Sequence, residues 1–198
     1  DGVTENFSTD PGWDGVGNEG IFSDCDMEYL HDFGYGPTMR AGGSPGEMGG
    51  TIYRSEFDEP ENAAYCGAVV PGTMNLNNTL EATGRVAMVR GASDSALLLG
   101  WFDSAKARLA GGKNTIGYMP TNFVGIMLEG PSALGWYFRG VYRNSAGTRG
   151  GDGATGPIIL PDGTQHSWTC QYSPTANGGN GSLTVTLDGQ VNTLNLAA

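Results

Sequence analysis

Short runs of alternating apolar and polar residues recur along this chain, separated by clusters of Gly, Asn, Asp and Pro. The period-two pattern predicts strands near residues 20–31, 50–56, 63–70, 79–90, 95–102, 122–129, 135–143, 165–172, 182–188 and 190–196. Helical character is confined to "DSAKARLA" at 103–110, which Gly111-Gly112 ends. In "TGRVAMVRG", Val86, Met88 and Arg90 share one face and Arg85, Ala87 and Val89 the other. "SALLLGWF" is apolar almost throughout and predicts a strand covered on both faces. "GWYFRGVYR" puts Trp136, Phe138, Gly140 and Tyr142 on one side and Tyr137, Arg139, Val141 and Arg143 on the other. If the first set meets the core, the second is a displayed Tyr/Arg row, either a sheet surface with snorkelling arginines or part of a ligand face. "LDGQ" at 187–190 is the signature of a two-residue type I′ hairpin. Regular strands with frequent turns predict an all-β fold, an antiparallel β-sandwich, as one domain over 1–198.

Composition narrows the function. The net charge of −11 argues against nucleic acid and anionic membrane surfaces, both of which select clustered Lys and Arg. No apolar run approaches the roughly 18 residues of a membrane span. Charged residues are only 16 %, and Asn, Ser, Thr and Gly supply the remaining polar surface, as is common in secreted β proteins. The chain starts at Asp1 without Met, consistent with a removed leader. Secretion or cell-surface display is therefore the expected location. Cys25, Cys66 and Cys170 fit no zinc spacing and leave open either one disulfide with a free thiol or three reduced thiols.

The Gly-rich stretch "DFGYGPTMRAGGSPGEMGGTIYRS" at 32–55 opens into a strand, so it is not a phosphate loop, which opens into a helix N-terminus. Its distinctive residue is Glu47, with Arg40 and Arg54 near in sequence and Tyr35 and Tyr53 flanking. Two readings stand: a salt-bridged loop closing one end of the sandwich, or a polar anchor at the rim of a sugar-binding face. Aromatic residues stack on sugar faces while polar side chains bond the hydroxyls. The candidate ligand-binding set is Tyr35, Arg40, Glu47, Tyr53, Arg54, Tyr137 and Arg139. Trp101 and Trp168 are expected in the core.

Residues 162–190, "DGTQHSWTCQYSPTANGGNGSLTVTLDGQ", combine an H-x-W-x-x-x-Y strand, a Gly/Asn loop and an alternating strand ending in Asp-Gly. With "LLLGWF" and the Gly-rich loop, this resembles the concanavalin A-like and laminin G-like jelly-roll superfamily, in particular a group of secreted bacterial members. The resemblance implies a jelly-roll sandwich. It also implies a final strand beyond "LNLAA" returning beside the first; without it a sheet edge stays open to self-association or an added strand. A structural Ca²⁺ held by carboxylates and carbonyls is implied as well, with Asp10 and Asp14 as ligands.

Hydrolases of the superfamily often carry E-x-D-x-x-E or E-x-D-x-E along one strand; "EFDEPE" at 56–61 has the first spacing, but Pro60 interrupts it and it reads as an acidic turn. Glu47, Asp103 and Glu129 are isolated in sequence and would have to converge in space. The lyase signature R-x-E-x-R is also absent, although Gln165, His166 and "YFRGVYR" partly echo that pattern. The G-x-S-x-G spacing at residues 42–46 leads into a strand and so lacks the strand-to-helix turn of a nucleophile elbow, and two histidines exclude a His-rich metal site. The expected function is a secreted or cell-surface, non-catalytic glycan-binding module. The alternatives are a polysaccharide-active hydrolase or lyase and a structural subunit of an extracellular assembly or filament.

Overall fold

A computed structural model describes residues 2–24, 27–53, 64–70, 72, 74–92, 95–103, 119–151 and 153–197. The chain is all-β, and every described strand pair is antiparallel. It divides into two compact units, Asp1–Gly72 and Thr73–Ala198.

The first unit contains β1 (Asp14–Val16), β2 (Glu19–Asp24), β3 (Met27–Gly36), β4 (Glu47–Thr51) and β5 (Tyr65–Gly67). They form a three-stranded sheet, β2-β3-β4, and a β1-β5 pair. The strand expected over 20–31 is a hairpin in which Ile21 faces Leu30 and Asp24 faces Met27. Apolar alternation continues on both sides of this reversal without Gly or Pro, which hid the turn. His31, only 2 % exposed, ties this unit together. Its Nδ1 lies 2.7 Å from Gly17 O and its Nε2 3.1 Å from Tyr53 O, joining the β1–β2 link to the segment after β4.

The second unit contains β6 (Leu80–Ala87), β7 (Ser95–Phe102), β8 (Phe123–Ser132), β9 (Gly135–Arg143), β10 (Arg149–Gly150), β11 (Ile158–Ile159), β12 (Gln165–Ser173), β13 (Ser182–Leu187) and β14 (Gln190–Asn195). One sheet runs β10-β9-β8-β7, with β11 also against β9; the other runs β14-β13-β12-β6. Inward side chains of both sheets share one core: Val124, Ile126, Leu128, Trp136 and Phe138 from the first, and Leu80, Cys170, Tyr172, Leu183, Val185 and Leu187 from the second. Gly140 admits the second sheet, since a Cβ there would stand 3.0 Å from Leu183 Cδ2. Trp101 and Trp168 pack against this core, as expected. The Asp188-Gly189 turn has φ of 48° and 81°, the left-handed pair a type I′ hairpin needs. Except for Asp103, the helical run at 103–110 lies outside the described residues.

The outer face of β7–β9 is a second buried layer. Met119, Phe123, Met127 and Val141 cluster there, with Leu98 and Phe102 against them. Alternation along β7 thus serves both layers, Leu99 and Trp101 inward and Leu98 and Phe102 outward.

Candidate functional site

The Gly-rich stretch forms a closed loop between β3 and β4. Its neck is the hydrogen bond from Gly46 N to Thr38 O, 2.8 Å. The Glu47 carboxylate turns back into it. Oε1 accepts from Thr38 Oγ1 at 2.5 Å and from Arg40 N at 2.9 Å; Oε2 accepts from Ala41 N at 2.9 Å. Among the described residues the carboxylate is held by a hydroxyl and two successive backbone N–H groups, a small anion nest. Arg40 acts through its backbone and the field of its charge. Arg54 lies outside the described residues.

Partial burial pushes the Glu47 carboxyl up, but the Thr38 hydroxyl, the Ala41 and Arg40 N–H groups and the Arg40 charge outweigh it, so its pKa is lowered from 4.5. A lowered folded value stabilises the fold above the ordinary glutamate value and loses that contribution as pH falls through the folded one. Acid is therefore expected to open this loop. Protection of the Arg40 and Ala41 amides, taken as exchange relative to the intrinsic rate at the same pH, should fall between neutral pH and about pH 3, while Glu47→Ala, costing about 1 kcal/mol, lowers it already at neutral pH. Unchanged exchange at the two amides in the variant would contradict the nest.

The loop has an aromatic neighbour that sequence reasoning missed. Phe7 and Trp13 pack edge to face, with centroids 5.4 Å apart and planes at 70°. Phe7 carries φ 54°, a conformation a bulky L-residue rarely adopts. Its carbonyl lies against Gly46, where a Cβ would come within 1.7 Å of Phe7 O; at φ 114° only glycine serves there. Both rings are half-buried. The signals available were the two aromatic residues in a turn-rich stretch and the glycine they require 33 to 39 residues later, which only the folded chain connects.

The other candidates separate. Tyr35 is half-buried and faces Met48, and Tyr53 is 40 % exposed. Both belong to the first unit with Glu47. Asp10 Oδ1 accepts from Gly12 N at 2.8 Å, and Asp14 stands opposite Gly67 in the β1-β5 pair. Burial first, then the charges of Asp10 and Asp14, raise the pKa of the Cys66 thiol. Among the described residues no group of three or more His, Cys, Asp or Glu side chains is placed to hold a metal ion. Ca²⁺ takes about 6–8 oxygens, of which these two carboxylates supply a fraction. Cys66 and Cys170 are free thiols, and burial pushes Cys170 up to about 12; Cys25 lies outside the described residues.

Tyr137 and Arg139 sit in the second unit, and Arg139 is not displayed. It is 4 % exposed, paired with Glu129. Its Nη1 donates to Gly153 O, and its Nη2 lies 3.7 Å from Met127 Sδ. The outward position predicted from alternation is right; what differs is the apolar layer over that face. The partial lyase pattern does not assemble either. His166, near the start of β12, is bound at 2.6 Å to Asp188 in the β13–β14 turn, whereas Arg139 lies on the outer face of the other sheet. The carboxylates singled out at Glu47 and Glu129 are each held by their own local partners, and the acidic turn at 56–61 lies outside the described residues.

Comparison with protein-family models, curated proteins and solved structures gives no match to this chain.

Proposed function

We propose that this chain is a secreted or cell-surface, non-catalytic glycan-binding module, carried on a β-sandwich of concanavalin A-like jelly-roll type. The observation that supports it best is the Phe7–Trp13 pair, held half-exposed by a left-handed Phe7 beside the loop that Glu47 closes. Aromatic faces fixed in this way take the apolar faces of pyranose rings at little entropic cost. Polar groups for the hydroxyls lie on the same unit: exposed Asp10 and Asp14, the exposed Arg40, and Tyr53. Glu47 serves as the brace of the loop instead of a direct ligand. The inward Trp168 and Tyr172 of β12 support the jelly-roll assignment.

Trp13 also supplies the test. The other three tryptophans, Trp101, Trp136 and Trp168, belong to the sandwich core. Quenching or a blue shift of the emission on adding a polysaccharide that is lost in Trp13→Ala therefore reports Trp13. Trp13→Ala is expected to weaken retention on a polysaccharide affinity gel by about tenfold or more, with no sugar product released by the wild type. Retention of the variant equal to wild type, or no retention on any glycan of a broad array, would sink this reading.

A further inference from the structure

Strand β14 closes one side of the four-stranded sheet, and no described strand lies on its other side. The hairpin fixes which of its backbone groups are open. Leu187 and Gln190 flank the type I′ turn and form a hydrogen-bonded pair. Alternation then turns the N–H and C=O of Asn192 and Leu194 toward β13, and those of Val191, Thr193 and Asn195 away from it. The bond from Leu196 N to Gly181 O, 3.0 Å, keeps the same phase. The three open residues also point their side chains outward and are exposed, Val191 by 63 %.

Sheet edges are usually guarded by charge, proline or a bulge. The opposite edge, β6, presents Glu81 and Arg85 on its exposed side. "QVNTLN" in β14 has none of these guards, and its pairing with β13 is regular. On a chain of net charge −11, an uncharged edge is where two copies can meet without bringing like charges together.

We propose that β14 is an interface for a second copy of this chain, paired antiparallel about a two-fold axis at Thr193. Val191 then faces Asn195 of the second copy and Thr193 faces its equivalent, each pair exchanging two backbone hydrogen bonds. The exposed row Glu81–Gln171–Thr184–Thr193 continues across the seam into its mirror order, hydroxyl beside hydroxyl. The two four-stranded sheets become one sheet spanning both copies.

Sedimentation velocity and amide exchange on the full chain test this between about 1 µM and 1 mM, the range suited to an interface of modest area. The expected result is a concentration-dependent doubling of mass. Protection should rise with concentration at the Val191, Thr193 and Asn195 amides and stay constant at Asn192 and Leu194. Thr193→Pro removes an N–H that β13 does not use, so it should leave the monomer folded and abolish the doubling. Thr193→Lys, which sets two cations opposite each other, should do the same and decides the matter if the proline variant fails to fold. A monomer throughout the range, a dimer that persists in the folded variants, or an open series of larger polymers (the signature of β14 adding to β6 of the next copy) would each overturn the two-fold interface.

Discussion

Replacing Glu129 with alanine is expected to destabilise the sandwich by about 3 kcal/mol, because it takes a paired carboxylate away from the buried Arg139. Arg139 is 4 % exposed under the layer of Met119, Phe123, Met127 and Val141, and Glu129 is its acidic partner, itself 24 % exposed. The guanidinium has paid its desolvation cost on folding, and Gly153 O answers one nitrogen without supplying a charge. Partial exposure of Glu129 keeps the loss at the lower end of what breaking a buried pair costs. Replacing both residues by leucine should recover most of it, since removing a whole buried pair is often neutral. Urea unfolding followed by tryptophan emission reads the difference, as Trp101, Trp136 and Trp168 all report on this core. A single Glu129→Ala variant as stable as wild type, or a double variant weaker than the single one, would show that the pair is not what holds Arg139.

A comparable loss is expected from one methyl group. Gly100 of β7 and Gly125 of β8 face each other, and the strands approach so closely that neither tolerates a Cβ. On Gly125 it would stand 2.4 Å from Leu99 O and 2.7 Å from Gly100 Cα; on Gly100 it would stand 2.4 Å from Val124 O. These obstacles are backbone, and β8 is held on its other side by β9, so relief requires β7 to move away. Gly125→Ala is expected to cost about 3 kcal/mol, at the top of the range for overpacking. Gly140→Ala is the control. Its Cβ meets side chains instead of backbone, Leu183 at 3.0 Å and Val185 at 3.5 Å, which can give, and alanine is the better strand residue, so the net change should stay within about 1 kcal/mol. Equal stability of the two variants, measured by the same unfolding curves, would show that the β7–β8 approach is not rigid.

Much of the second unit was legible. The runs at 95–102, 135–143, 165–172, 182–188 and 190–196 match β7, β9, β12, β13 and β14 to within a residue or so, since each is a strand-length apolar or alternating run bounded by turn-forming residues. The first unit was harder to read. β4 begins at Glu47, three residues before the predicted start, because "GEMGG" has too few side chains to show a period. The two-residue strands β10 and β11 are too short for any pattern. Within the candidate site, the sequence picked out Glu47 and its two flanking tyrosines but gave no sign of the hydroxyl and backbone N–H groups that hold the carboxylate. A backbone N–H leaves no mark on side-chain identity, so an anion nest cannot be told from a salt bridge by reading residue names.

The sequence by itself determined the class of fold, the division of the sandwich strands' side chains into two faces, the type I′ turn at Asp188-Gly189 and the neutrality of β14. All of these follow from local chemistry: the two-residue period, the left-handed tolerance of Asp-Gly and the absence of charge in six consecutive residues. Tertiary structure decided which outward faces meet water. It covered Arg139 with a second apolar layer and supplied Glu129 from the neighbouring strand, ten positions away. It also brought Phe7 against Gly46 and folded Glu47 back onto Thr38. Those outcomes depend on register and on approaches between distant segments, and a period-two pattern specifies the direction of a side chain without specifying what it will find there.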